Sequence, residues 1–326
     1  MSALLLAADV GNSKTHLAVA DTTGRVLGLA TGPGGSPQTL GVRAAHDQLR
    51  SLAKEITGRD SGYEGAVLAV AGVDFPEEEA ALAEEADAHG LARHLTVCND
   101  TFALLRTGGR GDGIAVVAGA GINCCGRYGE RTARFHSLGR LTGDWGGGID
   151  LGEEALGTAC RAEDGRGAPT SLARSLPAHF GLTRPLELAE AVHRGEVSHT
   201  RLVQLAPLVL AAADEGDAVA RTLVDRMAAE VVAFVTATTE RLGCDLDSVP
   251  LVLGGGLLRA RCARLRTGIW EALHAAHSDP RIVVPDTPPV VGALALALDE
   301  ASARTPGAAR EVPLEPLAAQ VADLLG

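Results

Sequence analysis

The chain opens with short apolar runs broken by turn residues. Leu4–Ala8, Thr15–Ala20 and Arg25–Ala30 each read as a strand, and Gly11-Asn12 and Thr23-Gly24 separate them. Such dipeptides favour tight hairpin turns. The period then changes. Across Arg43–Ile56, apolar residues at Ala45, Leu49, Leu52 and Ile56 have helical spacing. Gly65–Ala71 is continuously apolar, as a strand buried on both faces would be. Phe75–His89 predicts an acidic helix opened by Pro76, Leu95–Cys98 a strand ending at Asn99-Asp100, and Thr101–Arg106 a helix. Past a glycine-rich stretch at Gly108–Gly113, Ile114–Ala118 begins a second series, with weaker strands at Asn123–Arg127 and Thr132–His136. Helical patterns follow at Asp150–Cys160, Thr170–His179, Pro185–His193, Thr200–Asp214 and Asp217–Leu242. Leu251–Leu253 predicts a strand leading into Gly254-Gly255-Gly256, Arg259–Ala276 a helix, Arg281–Val284 a strand, and Pro289–Ala303 and Glu315–Leu325 two last helices.

Both halves therefore open with strand, glycine-rich turn, strand: Asp9-Val10-Gly11-Asn12-Ser13 is echoed by Gly119-Ala120-Gly121-Ile122-Asn123. The expected fold class is α/β with two similar domains, residues 1–113 and 114–326, the second carrying a helical insertion at about 150–242. A ligand is expected in a cleft between them. A length of 326 residues suits two domains.

Composition narrows the class. Hydrophobic residues at 46% and charged residues at 21% describe a globular protein. No run of eighteen apolar residues occurs, and Met1–Leu6 lacks a basic stretch before the first apolar run. Neither a signal peptide nor a membrane span is expected, and the expected location is cytoplasmic. A net charge of -12 argues against nucleic acid or anionic lipid as partners. Lys14 and Lys54 are the only lysines, so a lysine in the first turn stands out. The six cysteines form no C-x-x-C pair, which argues against structural zinc and for buried thiols, and the ten histidines show no ligand spacing.

Four motifs carry chemistry. In Asp9-Val10-Gly11-Asn12-Ser13-Lys14-Thr15, Gly11 lets the backbone turn close to an anion. Successive N–H groups there can form an anion-binding concavity, with Ser13, Thr15 and Lys14 as further donors. Asp9 can hold hydrated magnesium. The spacing is not that of a P-loop, and an ordinary hairpin with a solvated lysine is the plainer reading. Asp100 stands at a strand end, where an acid can accept a proton from an attacking hydroxyl. It equally suits the N-cap of the following helix. Ala118–Asn123 and Leu253–Leu257 are further glycine turns, the second before a helix whose N-terminus favours anions.

The order of these motifs resembles the N-acetylglucosamine kinase / BadF-type ATPase family of the actin/hexokinase-like ATPase superfamily, over about residues 3–300. Ala71-Gly72-Val73, Leu138–Asp144 and Pro289–Ala293 match further family segments. The resemblance implies two actin-like (ribonuclease H-like) domains, ATP and Mg2+ as cofactors, a small-molecule sugar substrate, and phosphoryl transfer to an amino-sugar hydroxyl such as that of N-acetylglucosamine or glucosamine. It implies Asp100 as catalytic base, and Asp9 with Asp100 at the metal. Gly11, Asn12, Ser13, Lys14 and Thr15 with Gly119, Ala120 and Gly121 would hold phosphates, and Gly254, Gly255 and Gly256 would pack on adenosine. Ser36, Asn99, Asp100, Asn123, Leu138, Gly143 and Asp144 would line the substrate side. Relatives are often dimers, which leaves a homodimer open, although the sequence shows no interface signal.

Three positions depart from the family pattern. Leu138 stands where N-acetylglucosamine kinases carry a tryptophan, Ser36 where an asparagine is usual, and Ala120 where a hydroxyl residue is common. Trp145 could line the sugar pocket instead, or lie in the core. These departures keep open a nucleotide-binding sensor without turnover. The family also contains activators of radical dehydratases, which bridge an iron–sulfur cluster with cysteines. Adjacent Cys124-Cys125 is poor geometry for such a bridge.

Overall fold

A computed structural model describes residues 3–109, 111–304 and 312–325. The chain divides into two compact units: Met1–Ala115 with Cys125–Thr132 and Pro285–Gly326, and Val116–Cys124 with Ala133–Val284.

The first unit is built on a sheet of strands β1 (Leu4–Val10), β2 (Lys14–Asp21), β3 (Val26–Pro33), β4 (Tyr63–Val70) and β5 (Ala92–Asn99), in the order β3-β2-β1-β4-β5. The β1–β2 and β2–β3 pairs are antiparallel hairpins, whereas β4 runs parallel to both β1 and β5. Alternation along β1 and β2 sends side chains to two cores. Leu6, Ala8, Leu17 and Val19 face Leu49 and Leu52 of α2 (Val42–Thr57, preceded by the short α1, Pro37–Leu40) and Leu82 of α3 (Pro76–Ala88). Leu5, Ala7, Ala18 and Ala20 lie in the opposite cluster with Ala103 of α4 (Asp100–Thr107).

The second sheet has the order β10-β9-β6-β7-β8, from β6 (Gly113–Ala118), β7 (Ile122–Tyr128), β8 (Arg131–Arg134), β9 (Leu251–Gly254) and β10 (Ile282–Val283). Between β8 and β9 the chain forms α5 (Gly148–Glu163), α6 (Leu172–His179), α7 (Pro185–His193), α8 (Ala206–Asp214) and α9 (Ala218–Leu242). Helices thus fill the stretch where the pattern predicts them. After β9 come α10 (Gly255–Leu258) and α11 (Ala263–Ala276), so the predicted helix from Arg259 starts later, at Cys262 as its N-cap.

A single boundary at 113/114 does not describe the division. The last helices, α12 (Pro289–Ala303) and α13 (Glu315–Leu325), belong to the first unit. Val290, Val291, Leu294 and Leu298 of α12 and Leu317 and Val321 of α13 complete the apolar cluster on its sheet. Gly292 marks the contact with α4: a Cβ there would lie 1.9 Å from the Ala103 carbonyl oxygen. No helix among the described residues is long and apolar enough to cross a membrane.

Candidate active site

In the first unit, parallel β1, β4 and β5 end at one edge of the sheet, where open α/β sheets bind ligands. The register sets Asp9 beside Ala69 and Ala69 beside Cys98. Asp9 therefore closes β1, Asp100 follows β5 directly, and β4 runs on into Ala71-Gly72-Val73-Asp74. Asn99, not Asp100, caps α4: its Oδ1 accepts from the Thr101 N–H and hydroxyl, at 3.1 and 2.7 Å. The capping role weighed for Asp100 is thus filled by its neighbour, and Asp100 is the first helical residue. Asn99 Nδ2 donates to buried Asp74 Oδ1 at 3.0 Å. Asp74 completes a row of three acids at three strand ends. Sequence reasoning stopped at Val73, although an acid just past an apolar strand is the signal that marked Asp9 and Asp100.

Both flanking carboxyls titrate high while keeping part of their surface toward solvent. Burial, then the Asp100 charge, pushes Asp9 up to about 7 against the attraction of Lys14. Burial, then the Asp74 charge, pushes Asp100 up to about 6, against N–H donors at Thr101 and Asp100 itself.

The first turn is closed by Gly11 N–H donating to the Lys14 carbonyl at 2.9 Å. It lies on a second glycine pair: Gly35 N–H donates to the Gly11 carbonyl, and a Cβ at Gly34 would sit 2.0 Å from the Asn12 oxygen. Asn12, Ser13 and Lys14 are exposed. Thr15 is buried instead, its hydroxyl accepting from Gln48 Nε2 at 3.2 Å. Ser36 is buried, and its Oγ has no partner among the described residues. A Cβ at Gly72 (φ 77°) would lie 2.7 Å from that oxygen and 2.9 Å from Gln38, so the Ser36 loop packs on the segment leading to Asp74. Glu78 fixes that segment by accepting from the Asp74 and Phe75 N–H groups at 2.7 and 3.0 Å.

In the second unit, the Gly119-Ala120-Gly121 turn sits on the start of α5. Gly148 N–H donates to the Gly119 carbonyl and Ile149 N–H to the Ala120 carbonyl. The turn after β9 meets the end of β6. Gly255 has φ 83°, and a Cβ there would lie 2.3 Å from the Ala118 oxygen. Gly254 is buried and Gly256 is exposed with open space around it. The two predicted glycine clusters therefore adjoin. Asn123 accepts from the Cys124 N–H at 2.7 Å. In the Leu138 segment, Ser137 holds a left-handed φ of 50° and Leu138 is exposed. The Thr142 hydroxyl bridges buried Asp144 and the Leu138 N–H, and Gly143, at φ 82°, is exposed. Trp145 is buried with Arg226 4.0 Å above its ring, so it occupies core and does not present an open face.

Residues 8–297 match the family model described as the BadF/BadG/BcrA/BcrD ATPase family. The chain belongs to this ATPase family. It is 27% identical over 260 residues to an N-acetylmuramic acid/N-acetylglucosamine kinase of Clostridium acetobutylicum, covering 77% of this chain and 84% of that one. It is 25% identical over 313 residues to an N-acetyl-D-glucosamine kinase of Dictyostelium discoideum, covering 91% and 98%. Among solved structures, a proposed N-acetylglucosamine kinase of Chromobacterium violaceum superposes with a TM-score of 0.72 at 22% identity, covering 91% of this chain and 99% of that one. The two-domain α/β fold of the actin-like ATPases, expected from the motif order, is the fold of this BadF-family chain.

A divalent cation suits the acids in their present arrangement. Asp9 and Asp100 are desolvated, and the Asp100 charge opposes ionisation of Asp9 as the Asp74 charge opposes that of Asp100, a cost that a cation offsets. Among the described residues, Asp9, Asp74 and Asp100 do not bring three carboxylate oxygens within 4.8 Å of one another. Carboxylate oxygens are the ligand type that magnesium takes, one or two at a time.

Proposed function

We propose that this BadF-family ATPase is an ATP-dependent amino-sugar kinase that phosphorylates a hydroxyl of N-acetylglucosamine or a close amino sugar, with Asp100 as base. The observation that carries the reading is the state of Asp100. Asn99 is the N-cap, so Asp100 is the first helical residue, and its carboxyl meets the N–H groups of Thr101 and of Asp100 itself. A pKa near 6 lets it stay ionised at neutral pH yet accept a proton as the acceptor hydroxyl attacks. The kinase names of the two curated relatives supply the substrate class.

In this reading Gly11–Lys14 and Gly119–Gly121 bind ATP phosphates, and Gly254–Gly256 supports the adenosine. Asp9 and Asp100 hold magnesium, which when bound neutralises charge on the phosphates. Thr15 serves as a strut beneath its turn, since its hydroxyl is engaged by Gln48. Asn99 holds Asp74 beside the base, and the orphaned Ser36 hydroxyl is a donor awaiting a sugar oxygen. In the second unit, Asn123, Leu138, Gly143 and Asp144 are the proposed sugar-side residues. The dehydratase-activator alternative is disfavoured, because burial pushes the Cys98 and Cys124 thiols up to about 12, far from the thiolate that cluster ligation needs.

The test is ADP release from Mg-ATP with N-acetylglucosamine, glucosamine, N-acetylmannosamine and glucose, for wild type and Asp100→Asn. Sugar-dependent turnover that falls by about 10²-fold or more in the variant, with ATP binding retained, is expected. ATP binding without sugar-dependent turnover on any of them would favour the sensor reading. Turnover indifferent to Asp100→Asn would remove Asp100 as base.

A further inference from the structure

The histidines show no ligand spacing along the sequence, but the fold brings two of them together. On the far side of the first unit's sheet from α12, His46 of α2 meets Glu85 of α3 and His89, which caps the C-terminus of α3. The two imidazole rings are 5.0 Å apart at a 46° tilt. Glu85 Oε1 lies 3.5 Å from His89 Nδ1, an i,i+4 pair at the end of the helix. One ligand atom from each of the three residues falls within 4.8 Å of the others.

His46 makes the cluster unusual. It is fully buried, and neither ring nitrogen has a hydrogen-bond partner among the described residues. Buried polar groups are almost always paired, because an unpaired one costs its desolvation. A core imidazole left without a partner, aimed at a histidine and a carboxylate, has the donor set for a borderline metal. Two imidazoles and one carboxylate match zinc, whereas magnesium and calcium take oxygen ligands. Zinc bonds of about 2.0–2.2 Å in a tetrahedron put ligand atoms roughly 3.4 Å apart, inside the 4.8 Å that the three ligand atoms now span. His89 Nδ1 contacts the Glu85 carbonyl at 2.9 Å, so His89 would ligate through Nε2 or give up that bond. Glu85 and His89 are only part-buried, which leaves a side for water as fourth ligand.

We propose that His46, Glu85 and His89 form a zinc-class transition-metal site that clips α2 to α3, separate from the acids at the strand ends. The clip would stiffen helices that already hold the candidate active site, through Gln48 on α2 and Glu78 on α3.

The experiment uses tag-free full-length protein stripped with chelator and dialysed against Zn2+ in excess Mg2+, which occupies oxygen-ligand sites. Metal content, thermal midpoint and the visible spectrum of a Co2+-substituted sample are read. One equivalent of zinc, a raised midpoint and tetrahedral cobalt bands are expected. His89→Ala and Glu85→Gln, both at part-buried positions, should each weaken binding at least about tenfold, since losing even an outer-shell partner costs that much. His46→Leu tests the buried ligand. His277→Ala, in the surface Asp245, Asp247, His277 group where His277 itself is part-buried, should leave binding at the His46 site unchanged. No stoichiometric zinc, or zinc binding indifferent to His89→Ala and Glu85→Gln, would overturn the site.

Discussion

Asp9 and Asp100 both hold protons more tightly in the folded chain than in water, and this has consequences for rate and for stability. A base must be ionised to act, so sugar-dependent kcat/KM should rise with pH through about 6 to 7, where these groups titrate. A pH profile that is flat across this range would contradict Asp100 as base. The stability effect has the opposite sign. Between the ordinary value of 3.8 and about 7, the folded state binds more protons than the unfolded one at Asp9. Its contribution is thus fully present below 3.8 and is lost as pH rises through 7. Asp9→Asn should therefore stabilise the protein by about 1–3 kcal/mol above pH 7, with the gain vanishing toward pH 4, as read by urea unfolding at both values. Asp9 and Asp100 were legible in the sequence because each follows an apolar strand. That Asn99 does the capping was not, since two adjacent capping residues are equivalent until the backbone chooses one. Asp74 carries the same signal, weakened because Ala71-Gly72-Val73 separate it from the strand, and the parallel register of β4 between β1 and β5 places it in the row.

The glycine turns show the same limit at the scale of an element. All of their glycines are equal in the sequence, but the fold requires only some of them. Gly255 needs its left-handed φ and would push a Cβ into the Ala118 carbonyl at 2.3 Å, whereas Gly119, Gly121 and Gly256 have open space around them. Gly255→Ala should cost about 2–4 kcal/mol, combining backbone strain with displacement of β6. Gly121→Ala should leave stability within about 0.5 kcal/mol of wild type yet raise the KM for ATP, because only an approaching phosphate would need that space. Melting curves and ATP titrations on the two variants separate a glycine kept for the fold from one kept for a ligand. If Gly121→Ala binds ATP as wild type does, the second turn is not a phosphate site. Strands and helices themselves followed the hydrophobic period to within a few residues. The short α1 and α10 escaped it because four residues carry too little periodicity to detect.

For the whole molecule, the return of the chain's end to the first unit was the feature the sequence concealed. Apolar periodicity marks α12 as buried but does not say against what. The answer lies in Leu5, Ala7, Ala18 and Ala20, which form one face of the first sheet and pack in one cluster with α12 and α13. Polar contacts fix the same join. Buried Arg106 pairs with Asp299 of α12 at 2.8 Å and donates to the Val312 carbonyl at 2.6 Å, while Gln320 of α13 accepts from the Val26 N–H at 2.9 Å and donates to the Gly24 carbonyl at 3.1 Å. Deleting residues 312–326 removes Leu317 and Val321 from that core, at about 1.5–3 kcal/mol each, a large share of the usual stability of a domain. The loss should fall on the first unit. Both tryptophans, Trp145 and Trp270, lie in the second unit, so tryptophan fluorescence reports that unit alone while far-UV circular dichroism reports both. In the truncated chain the dichroism should begin to fall at a lower urea concentration than in wild type. If the fluorescence midpoint stays in place, the units unfold independently. If it moves with the dichroism, they unfold as one. An unchanged dichroism midpoint would mean that α13 adds nothing to the first unit's core, and that the division of the chain drawn from its packing is wrong.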